Sequence, residues 1–277
     1  SKRVIIFSPH PDDDVVSMGG TFDRLVSQGH EVHIAYQVKG NIAVSDHDAL
    51  KFIEVSKDMF KNDSKVPVSE LIKELKNNKP DKIDSQAVRD LKGFIRKREA
   101  IAATRYIGIP DSNTHFMNLP FYDTGRIKKN PPTKKDVLIT ASLIKKIKPH
   151  QIFAAGDLED PHGTHKVCLD VILDALDTLK GEKFIKDCWL WLYRGAWLDW
   201  DVHDIDMAVP MSPAQVLRKR KAIFFHQTQK DGVMFQGQDL REFWVRAEER
   251  NSETAEKYKK MGLADYAAIE SFKRHYY

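Results

Sequence analysis

The sequence lacks several features that would assign it to a special class of protein. Only two of its 277 residues are cysteine, Cys168 and Cys188, and both stand in apolar surroundings, where a thiol behaves as a small buried hydrophobe. A disulfide framework is therefore not expected, and the cysteine usage favours a reducing, cytoplasmic compartment. No apolar run reaches the roughly 18 residues that a membrane-spanning helix needs. These absences predict an ordinary globular protein without a membrane partner.

A strong excess of charge is also missing. The formal net charge is +4, and the basic clusters at 96–98 and 218–221 fall in predicted helices, where a solvated face is the simplest interpretation. A nucleic-acid site would need a wider basic stripe with stacking aromatic side chains, so no nucleic-acid partner is expected. A phosphate-bearing substrate would fit the small positive bias. The G-x-G-x-x-G turn of dinucleotide-binding domains is absent as well.

Hydrophobic periodicity predicts an α/β domain. Residues 4–7 form an apolar, β-branched run typical of a buried strand, residues 15–27 have helical spacing, and residues 30–38 are typical of a second strand. Strand, helix and strand in this order form a βαβ unit, which implies a parallel sheet. Further helices are predicted over 49–60, 87–106, 135–147 and 165–179, and further strands over 151–155, 187–196 and 204–209.

Two stretches depart from this alternation. Residues 39–84 are long and rich in Lys, Asp and Asn for a connection inside a compact domain. We interpret them as a polar insertion, of the kind that covers a site as a lid or offers a surface to a partner. Residues 213–277 are predicted to form a mostly helical C-terminal tail. A single domain over residues 1–277 is expected.

Two polar turns carry the residues with catalytic chemistry. Each follows a predicted strand and leads into a helix, at residues 8–14 and 156–165. Ligands of open parallel sheets bind at the carboxyl ends of the strands, so both turns should open onto one crevice. Two histidines and a carboxylate are the ligand set of a catalytic zinc, with one position left for water, although either turn alone would also suit a helix cap. The candidates are His10, Asp12, Asp13, His162 and His165.

The combination of motifs resembles a known family. Residues 8–13, SPHPDD, closely resemble the (A/P)HPDD signature of the LmbE/PIG-L-like N-acetylglucosaminyl deacetylases, and residues 162–165, HGTH, resemble the downstream HPDH motif. The likeness spans most of residues 3–230 and implies a Rossmann-like α/β fold, with a mostly parallel sheet and helices on both faces. The family's R-x-x-E…A…LG helix is matched at Arg96, Glu99, Ala103 and Gly108.

Carried over by position, the resemblance implies a role for each candidate. It implies one zinc ion, although other divalent transition metals suit the same ligands. Asp12 would be the general base, and His162 would stabilise the tetrahedral intermediate. The implied metal ligands are His10, Asp13 and His165.

The chain departs from the family pattern at two places. Asp14 stands where Glu is usual, at a position that supports the helix start. Gly163 and Thr164 stand where the family often has Pro-Asp. That change removes a hydrogen-bond partner for a histidine, and Asp157 or Asp160 could replace it.

Substrate contacts are also predicted. By resemblance, Arg96 would bind substrate hydroxyls or phosphate, and Asp123 would hold a sugar hydroxyl. Arg194 follows a predicted strand and would reach the same site. Plainer interpretations remain open, because a helix surface uses arginine and a turn uses aspartate for their own stability. Residues 226–229, HQTQ, resemble the family's late H-x-S-Q element, where a packed, hydrogen-bonded histidine is the plainer interpretation.

The resemblance implies zinc-dependent hydrolysis of the N-acetyl group of an N-acetylglucosamine-type substrate, which is free, 6-phosphorylated or conjugated, with release of acetate. Two alternatives stay open: a metal-dependent hydrolase of a non-sugar amide, and a non-catalytic regulatory domain that keeps the fold. The expected partner is a small amino-sugar substrate. Residues 118–125 look like deacetylase-like domains attached to sugar-phosphate deaminase-like proteins, so such a fusion is an expectation, and a homo-oligomer is left open.

Overall fold

The computed structural model describes residues 1–59, 68–78, 82–126, 128–160, 163–195, 197–231 and 239–277. Within these ranges the chain forms seven strands and eight α-helices. The strands are β1 (Arg3–Ser8), β2 (Glu31–Tyr36), β3 (Thr114–Phe116), β4 (Gln151–Ala155), β5 (Trp189–Tyr193), β6 (Met207–Met211) and β7 (Ala268–His275). The helices are α1 (Asp13–Ser27), α2 (Asp46–Met59), α3 (Val68–Lys76), α4 (Gln86–Ile107), α5 (Lys134–Ile147), α6 (Thr164–Thr178), α7 (Pro213–Phe224) and α8 (Phe243–Lys260).

The strands form one sheet in the order β3-β2-β1-β4-β5-β7-β6. Neighbouring strands from β3 to β5 pair in parallel, and β7 is antiparallel to both β5 and β6. The predicted α/β class with a mostly parallel sheet is therefore confirmed. The chain order reverses direction across β1 and β4, which is where an open parallel sheet offers a ligand crevice.

Helices cover both faces of the sheet, as predicted. Along β1, Val4 and Ile6 pack on one face against α1, α4, α7 and α8, whereas Ile5 and Phe7 pack on the other face against α5 and α6. This alternation follows from the two-residue period of a strand. It explains why the β1 sequence is a continuous apolar run, since neither face of the strand meets solvent.

Two absences predicted from the sequence can be compared with the structure. Cys168 and Cys188 are both free thiols, and both are buried, as expected for small hydrophobes. Across the described ranges, no helix combines the length and the apolar character needed to cross a bilayer.

The polar insertion contains more regular structure than the sequence indicates. The predicted helix at 49–60 appears as α2, and α3 follows it, although residues 60–67 and 79–81 lie outside the described residues. A small separate core joins α2 and α3 to α4. The buried Lys92 of α4 binds the carboxylates of Asp46 and Asp84 at 2.6 and 2.7 Å, which fastens the two ends of the insertion to α4. Its role as a lid stays a prediction.

The prediction of a helical tail over 213–277 is wrong at its end. The tail holds α7 and α8, but its last segment is β7, which lies between β5 and β6. The first five residues of β7 are buried, and two of them, Glu270 and Ser271, are polar. Buried polar side chains hide the apolar pattern of a strand, so the sequence did not reveal it. The three-residue β3 was missed because it is too short to show a period.

Glu270 accepts hydrogen bonds from the backbone amides that a break in helix α1 leaves free. The backbone of Met18 leaves helical geometry, with φ −138° and ψ 28°, so the second half of α1 begins as a new helix with free amides. Glu270 accepts hydrogen bonds from the amides of Gly20 and Thr21 at 2.9 and 2.6 Å, from the hydroxyl of Thr21 at 2.6 Å and from the buried ammonium of Lys219 at 2.8 Å. The carboxylate therefore ties the last strand to the helix that begins at the first polar turn.

We expect Glu270→Met to lower the free energy of unfolding by about 3–5 kcal/mol, because Lys219 and two amides lose their partner inside the protein. Denaturant unfolding followed by circular dichroism measures this. The matched control is Glu182→Met, which removes an exposed ion pair with Lys145 and should cost less than about 1 kcal/mol. Adding Lys219→Met to the Glu270 variant should recover stability, since no buried charge is then unpaired. Equal stability of the two single variants would contradict the role given to Glu270.

Candidate metal and catalytic site

The two polar turns meet at the carboxyl edge of the sheet. β1 and β4 are parallel neighbours, so the turns that follow them leave the sheet side by side. One potential ligand atom from each of His10, Asp13 and His165 lies within 4.8 Å of the other two. The structure therefore brings together the three residues predicted to hold a metal, although His165 lies more than 150 positions along the chain from His10 and Asp13.

Asp13 is the centre of this group. Its Oδ2 lies 3.1 Å from Nδ1 of His10 and 3.2 Å from Nε2 of His165. The same oxygen accepts the backbone amide of His10 at 2.8 Å, which closes the turn. The two imidazole rings lie 5.4 Å apart, centre to centre. Two imidazole nitrogens and a carboxylate oxygen thus converge on one small volume.

The second turn orients His165 with backbone groups. Nδ1 of His165 lies 2.7 Å from the carbonyl oxygen of Asp157, so it acts as the donor and leaves Nε2 to face Asp13. The side chain of Asp160 accepts the His165 amide at 3.1 Å at the start of α6. The Asp157 carboxylate accepts amides from Trp197 and Leu198. Asp157, one of the two residues that the sequence suggested, therefore orients the ring, and it does so through its backbone carbonyl.

The electrostatics of the group favour a bound cation. Burial by itself lowers the pKa of His165, but the Asp13 carboxylate outweighs this and raises it to about 10. Burial also opposes ionisation of Asp13, whereas His165 and His10 hold its pKa well below the ordinary value. Burial lowers the pKa of His10, so the buried Asp13 carboxylate lies between two imidazoles, a setting that suits a divalent ion. Nitrogen and carboxylate donors in this number fit zinc and its neighbours among the transition metals.

The side chain of Asp12 does not cap helix α1, which is the usual structural role of an aspartate at this position. It stands at the N-cap of α1, yet its side chain accepts no capping hydrogen bond. Its φ of 154° is strained for a residue with a side chain. Its carboxylate instead lies 3.1 Å from the guanidinium of Arg96, which also donates to the carbonyl of Pro11 at 2.6 Å. Burial raises the pKa of Asp12 to about 7, with Arg96 opposing the rise, which is the range that a general base needs.

Arg96 and Glu99 support the site from helix α4. Arg96 is only 1% exposed, and a side chain at Gly40 would meet its Cζ at 3.3 Å. One turn later, Glu99 accepts the amide and the hydroxyl of Thr228, both at 2.8 Å. His226 is fully buried beside them, and its ring nitrogens have no hydrogen-bond partner in the described ranges. Through these hydrogen bonds, Arg96 holds the first polar turn and Glu99 holds the segment that follows α7, so helix α4 connects the two.

Comparison with known proteins supports this assignment of motifs. The family model described as GlcNAc-PI de-N-acetylase, PIG-L, matches residues 5–176. The chain belongs to the PIG-L family. The family is one of hydrolytic N-deacetylases, which confirms the resemblance seen in the sequence.

One curated relative of this PIG-L chain is a glucosamine-6-phosphate deaminase-like protein of Bacteroides thetaiotaomicron. It is 50% identical over 280 residues, which cover 98% of the chain and 42% of the relative. The chain therefore spans less than half the length of that protein.

Two solved structures share the fold. One is the N,N'-diacetylchitobiose deacetylase of Pyrococcus horikoshii, with a TM-score of 0.59 and 18% identity over 99% of this chain and 84% of the other. The second is the 4-carboxy-2-hydroxymuconate hydratase of Pseudomonas putida, with a TM-score of 0.60 and 15% identity over 100% and 97% of the two chains. A deacetylase and a hydratase on one fold show that the fold alone does not decide the reaction.

The first departure from the PIG-L pattern is accommodated inside the protein. Asp14 is fully buried, and Tyr36 donates to its Oδ2 at 3.0 Å while the Asp14 amide donates to the Ser8 hydroxyl at 3.1 Å. Burial raises the pKa of Asp14 to about 7, and the hydrogen bond from Tyr36 opposes this. Asp14 therefore supports the start of the helix, as predicted for this position.

The structure places the remaining predicted residues less directly. Asp123 is 3.4 Å from Lys39 and 3.7 Å from Arg89, at the rim of the site. Its contact with a sugar stays a prediction, as does that of Arg96, whose guanidinium is engaged by the first turn. His162 lies outside the described residues, so its role also stays a prediction.

Arg194 serves the turn that follows β4. Its Nε donates to the carbonyl of Gly156 at 2.9 Å and its Nη1 to the carbonyl of Asp199 at 3.2 Å. The guanidinium also lies 3.7 Å from the centre of the Trp200 ring. These contacts position the polypeptide beside the site, and binding of substrate by Arg194 stays a prediction.

Sequence reasoning missed one residue that faces the ligand group. Tyr122 presents its ring edge-on to His10, with the ring centres 6.1 Å apart, and the ammonium of Lys129 lies 3.7 Å above the Tyr122 ring. Both residues come from the loop between β3 and α5, which carries no motif for a metal. The resemblance at Asp123 indicated that this loop comes near the substrate, but it did not indicate that Tyr122 and Lys129 lie against the first polar turn.

Proposed function

We propose that this chain is a metal-dependent N-deacetylase that hydrolyses the acetamido group of an N-acetylglucosamine-type substrate and releases acetate. The observation that carries the proposal is the pairing of a convergent His10, Asp13 and His165 group with an adjacent carboxylate, Asp12, that has no structural capping role. Zinc is the proposed ion, and other divalent transition metals suit the same donors. Membership of the PIG-L family supports the reaction class.

When bound, a divalent cation polarises an amide carbonyl and lowers the pKa of water. Asp12 accepts the proton of the attacking water as its oxygen bonds to the carbonyl carbon. Arg96 keeps the Asp12 carboxylate in place through this transfer. The carbon–nitrogen bond then breaks, and the proton passes to the leaving nitrogen, so that acetate and a free amine result. Stabilisation of the oxyanion by His162 is proposed from the family motif.

The setting of the enzyme is also a proposal. The match with the deaminase-like relative covers nearly all of this chain but under half of the relative. We therefore propose that such domains occur fused to a sugar-phosphate deaminase-like domain. Amino-sugar chemistry would then connect the two parts, and a cytoplasmic location fits the free thiols of Cys168 and Cys188.

The test is acetate release by metal-free protein and by protein reloaded with zinc. The substrates are N-acetylglucosamine, its phosphate esters and N,N'-diacetylchitobiose, compared with N-acetylated amines that contain no sugar. We expect hydrolysis of at least one acetamido sugar, loss of activity on chelation, and recovery with zinc. Turnover of the non-sugar amides alone would show that the substrate is an amide without a sugar. Absence of both bound metal and turnover would favour a non-catalytic regulatory domain.

A further inference from the structure

Two lysines beside the candidate site are half-buried without a carboxylate partner. Over the described ranges, neither Lys97 nor Lys129 makes an ion pair. The Lys97 ammonium lies 4.9 Å from the centre of the Phe116 ring, and the Lys129 ammonium lies 3.7 Å from that of Tyr122 and donates to the carbonyl of Arg126 at 2.6 Å. Burial lowers the pKa of Lys129 to about 8, with Asp123 opposing. Withholding a cation from water without an anion costs free energy, so a ligand that supplies the anion would stabilise these positions.

Each lysine lies near a residue that adjoins the proposed reacting groups. The Lys129 ammonium contacts the Tyr122 ring, and that ring packs against the imidazole of His10, with the ring centres 6.1 Å apart. Lys97 lines a cavity of about 230 Å³ whose wall includes Pro11, the residue before Asp12. The cavity therefore adjoins the turn that carries the proposed general base.

Lys39 lies between the surroundings of Lys97 and those of Tyr122. It lines the cavity with Lys97 and also a second cavity, of about 280 Å³, that Tyr122 borders. Its ammonium is held by Asp90 at 3.2 Å and by Asp123 at 3.4 Å. These distances are long for charge-assisted bonds, which leaves the ammonium able to make shorter contacts with a stronger anion.

We propose that Lys39, Lys97 and Lys129 form an anion-binding rim that recognises a phosphate ester on the amino-sugar substrate. The proposal rests on the deacetylase function and specifies its substrate class. A phosphate carries up to two charges and several acceptor oxygens, and lysine binds it as a point charge. The acetamide would lie at His10, Asp12 and His165, and the phosphate would lie across the Tyr122 ring from them.

The experiment compares kcat/KM for N-acetylglucosamine, its 6-phosphate and its 1-phosphate in the wild type and in Lys97→Met and Lys129→Met variants. The control is Lys180→Met, which removes an exposed lysine paired with Asp177. We expect the wild type to prefer one phosphate ester, and each rim variant to lower the ratio of kcat/KM for that ester to kcat/KM for the neutral sugar about 10-fold. The position of the preferred phosphate shows which end of the sugar meets the rim.

Other results are equally decisive. A wild-type enzyme that hydrolyses the neutral sugar as efficiently as both esters would overturn the rim and leave the deacetylase intact, as would variants with an unchanged ratio. If no substrate releases acetate, the deacetylase proposal fails, and calorimetric titration with glucosamine 6-phosphate then decides about the rim. Binding that weakens about 10-fold in Lys129→Met supports it, and no binding to the wild type overturns it.

Discussion

The Asp12→Asn variant is expected to lose acetate release by about 10²–10⁴-fold in kcat while it retains a full complement of metal. Asparagine has the size of aspartate and can still accept a hydrogen bond from Arg96, so the strained turn should keep its geometry. It cannot take a proton from water, which removes the step that this residue is proposed to perform. Turnover with saturating substrate and metal analysis of the same protein preparation measure the two effects.

The matched control for this variant is Asp111→Asn. Asp111 is an exposed aspartate that pairs with Arg105 on the surface, so its replacement should change neither kcat nor metal content. Wild-type turnover in Asp12→Asn would remove Asp12 from the role of base. Loss of metal in the same variant would instead make Asp12 a ligand, and the assignment of its neighbour would have to be revised.

The His165→Ala variant is expected to bind its metal more than about 100-fold less tightly and to lose turnover in proportion. Partners that only orient a ligand already contribute about 10–100-fold to affinity, and His165 is proposed to be a ligand itself. Its ring is 2% exposed and is oriented by the carbonyl of Asp157, so the ring is held with Nε2 facing Asp13. Titration of metal-free protein with zinc measures the affinity.

The control for His165 is the second group of residues, among those described, that could hold an ion: Asp201, His203 and Asp204. This group is largely exposed, with His203 81% exposed. His203→Ala should therefore leave the stoichiometry, affinity and activity unchanged. If His203→Ala loses the metal and His165→Ala keeps it, the ion belongs to the surface group and the proposed site is wrong.

Stability and activity are predicted to separate in this protein. The carboxylate of Glu270 holds the second half of α1, whereas Asp12 and Asp13 stand at its beginning. Variants of Glu270 should therefore lower the free energy of unfolding before they alter metal binding. Asp12→Asn should instead lower turnover while the free energy of unfolding and the metal content change little, because the Asp12 side chain makes no capping hydrogen bond.

The catalytic candidates were predictable because their signals are local. A strand, a polar turn and a helix within a few residues define the end of a parallel strand, and two such turns carried His10, Asp13 and His165. The topology then made their meeting necessary, since β1 and β4 are adjacent. The convergence follows from the geometry of the βαβ unit, and the sequence contains each part of it.

The supporting residues were not predictable in the same way. Tyr122 and Lys129 come from the loop between β3 and α5, whereas Lys39 follows β2, and their contacts depend on packing between distant elements. The same holds for β7. Its buried Glu270 interrupts the apolar pattern of a strand, and the partners that allow its burial, Lys219 and α1, lie far away in the sequence. Hydrophobic periodicity covers only a few neighbouring residues, so it does not reveal contacts between residues far apart in the sequence.

By itself, the sequence indicated the fold class and the order of most elements, because hydrophobic period and turn chemistry act over a few residues. The ligand and base candidates followed from the resemblance of its two motifs to a known family. Only the tertiary structure decided that Asp12 is held by Arg96 instead of capping its helix, that a backbone carbonyl orients His165, and that lysines border the site. Those features arise where segments far apart in the chain pack together, and burial and charge are then set by all of them jointly.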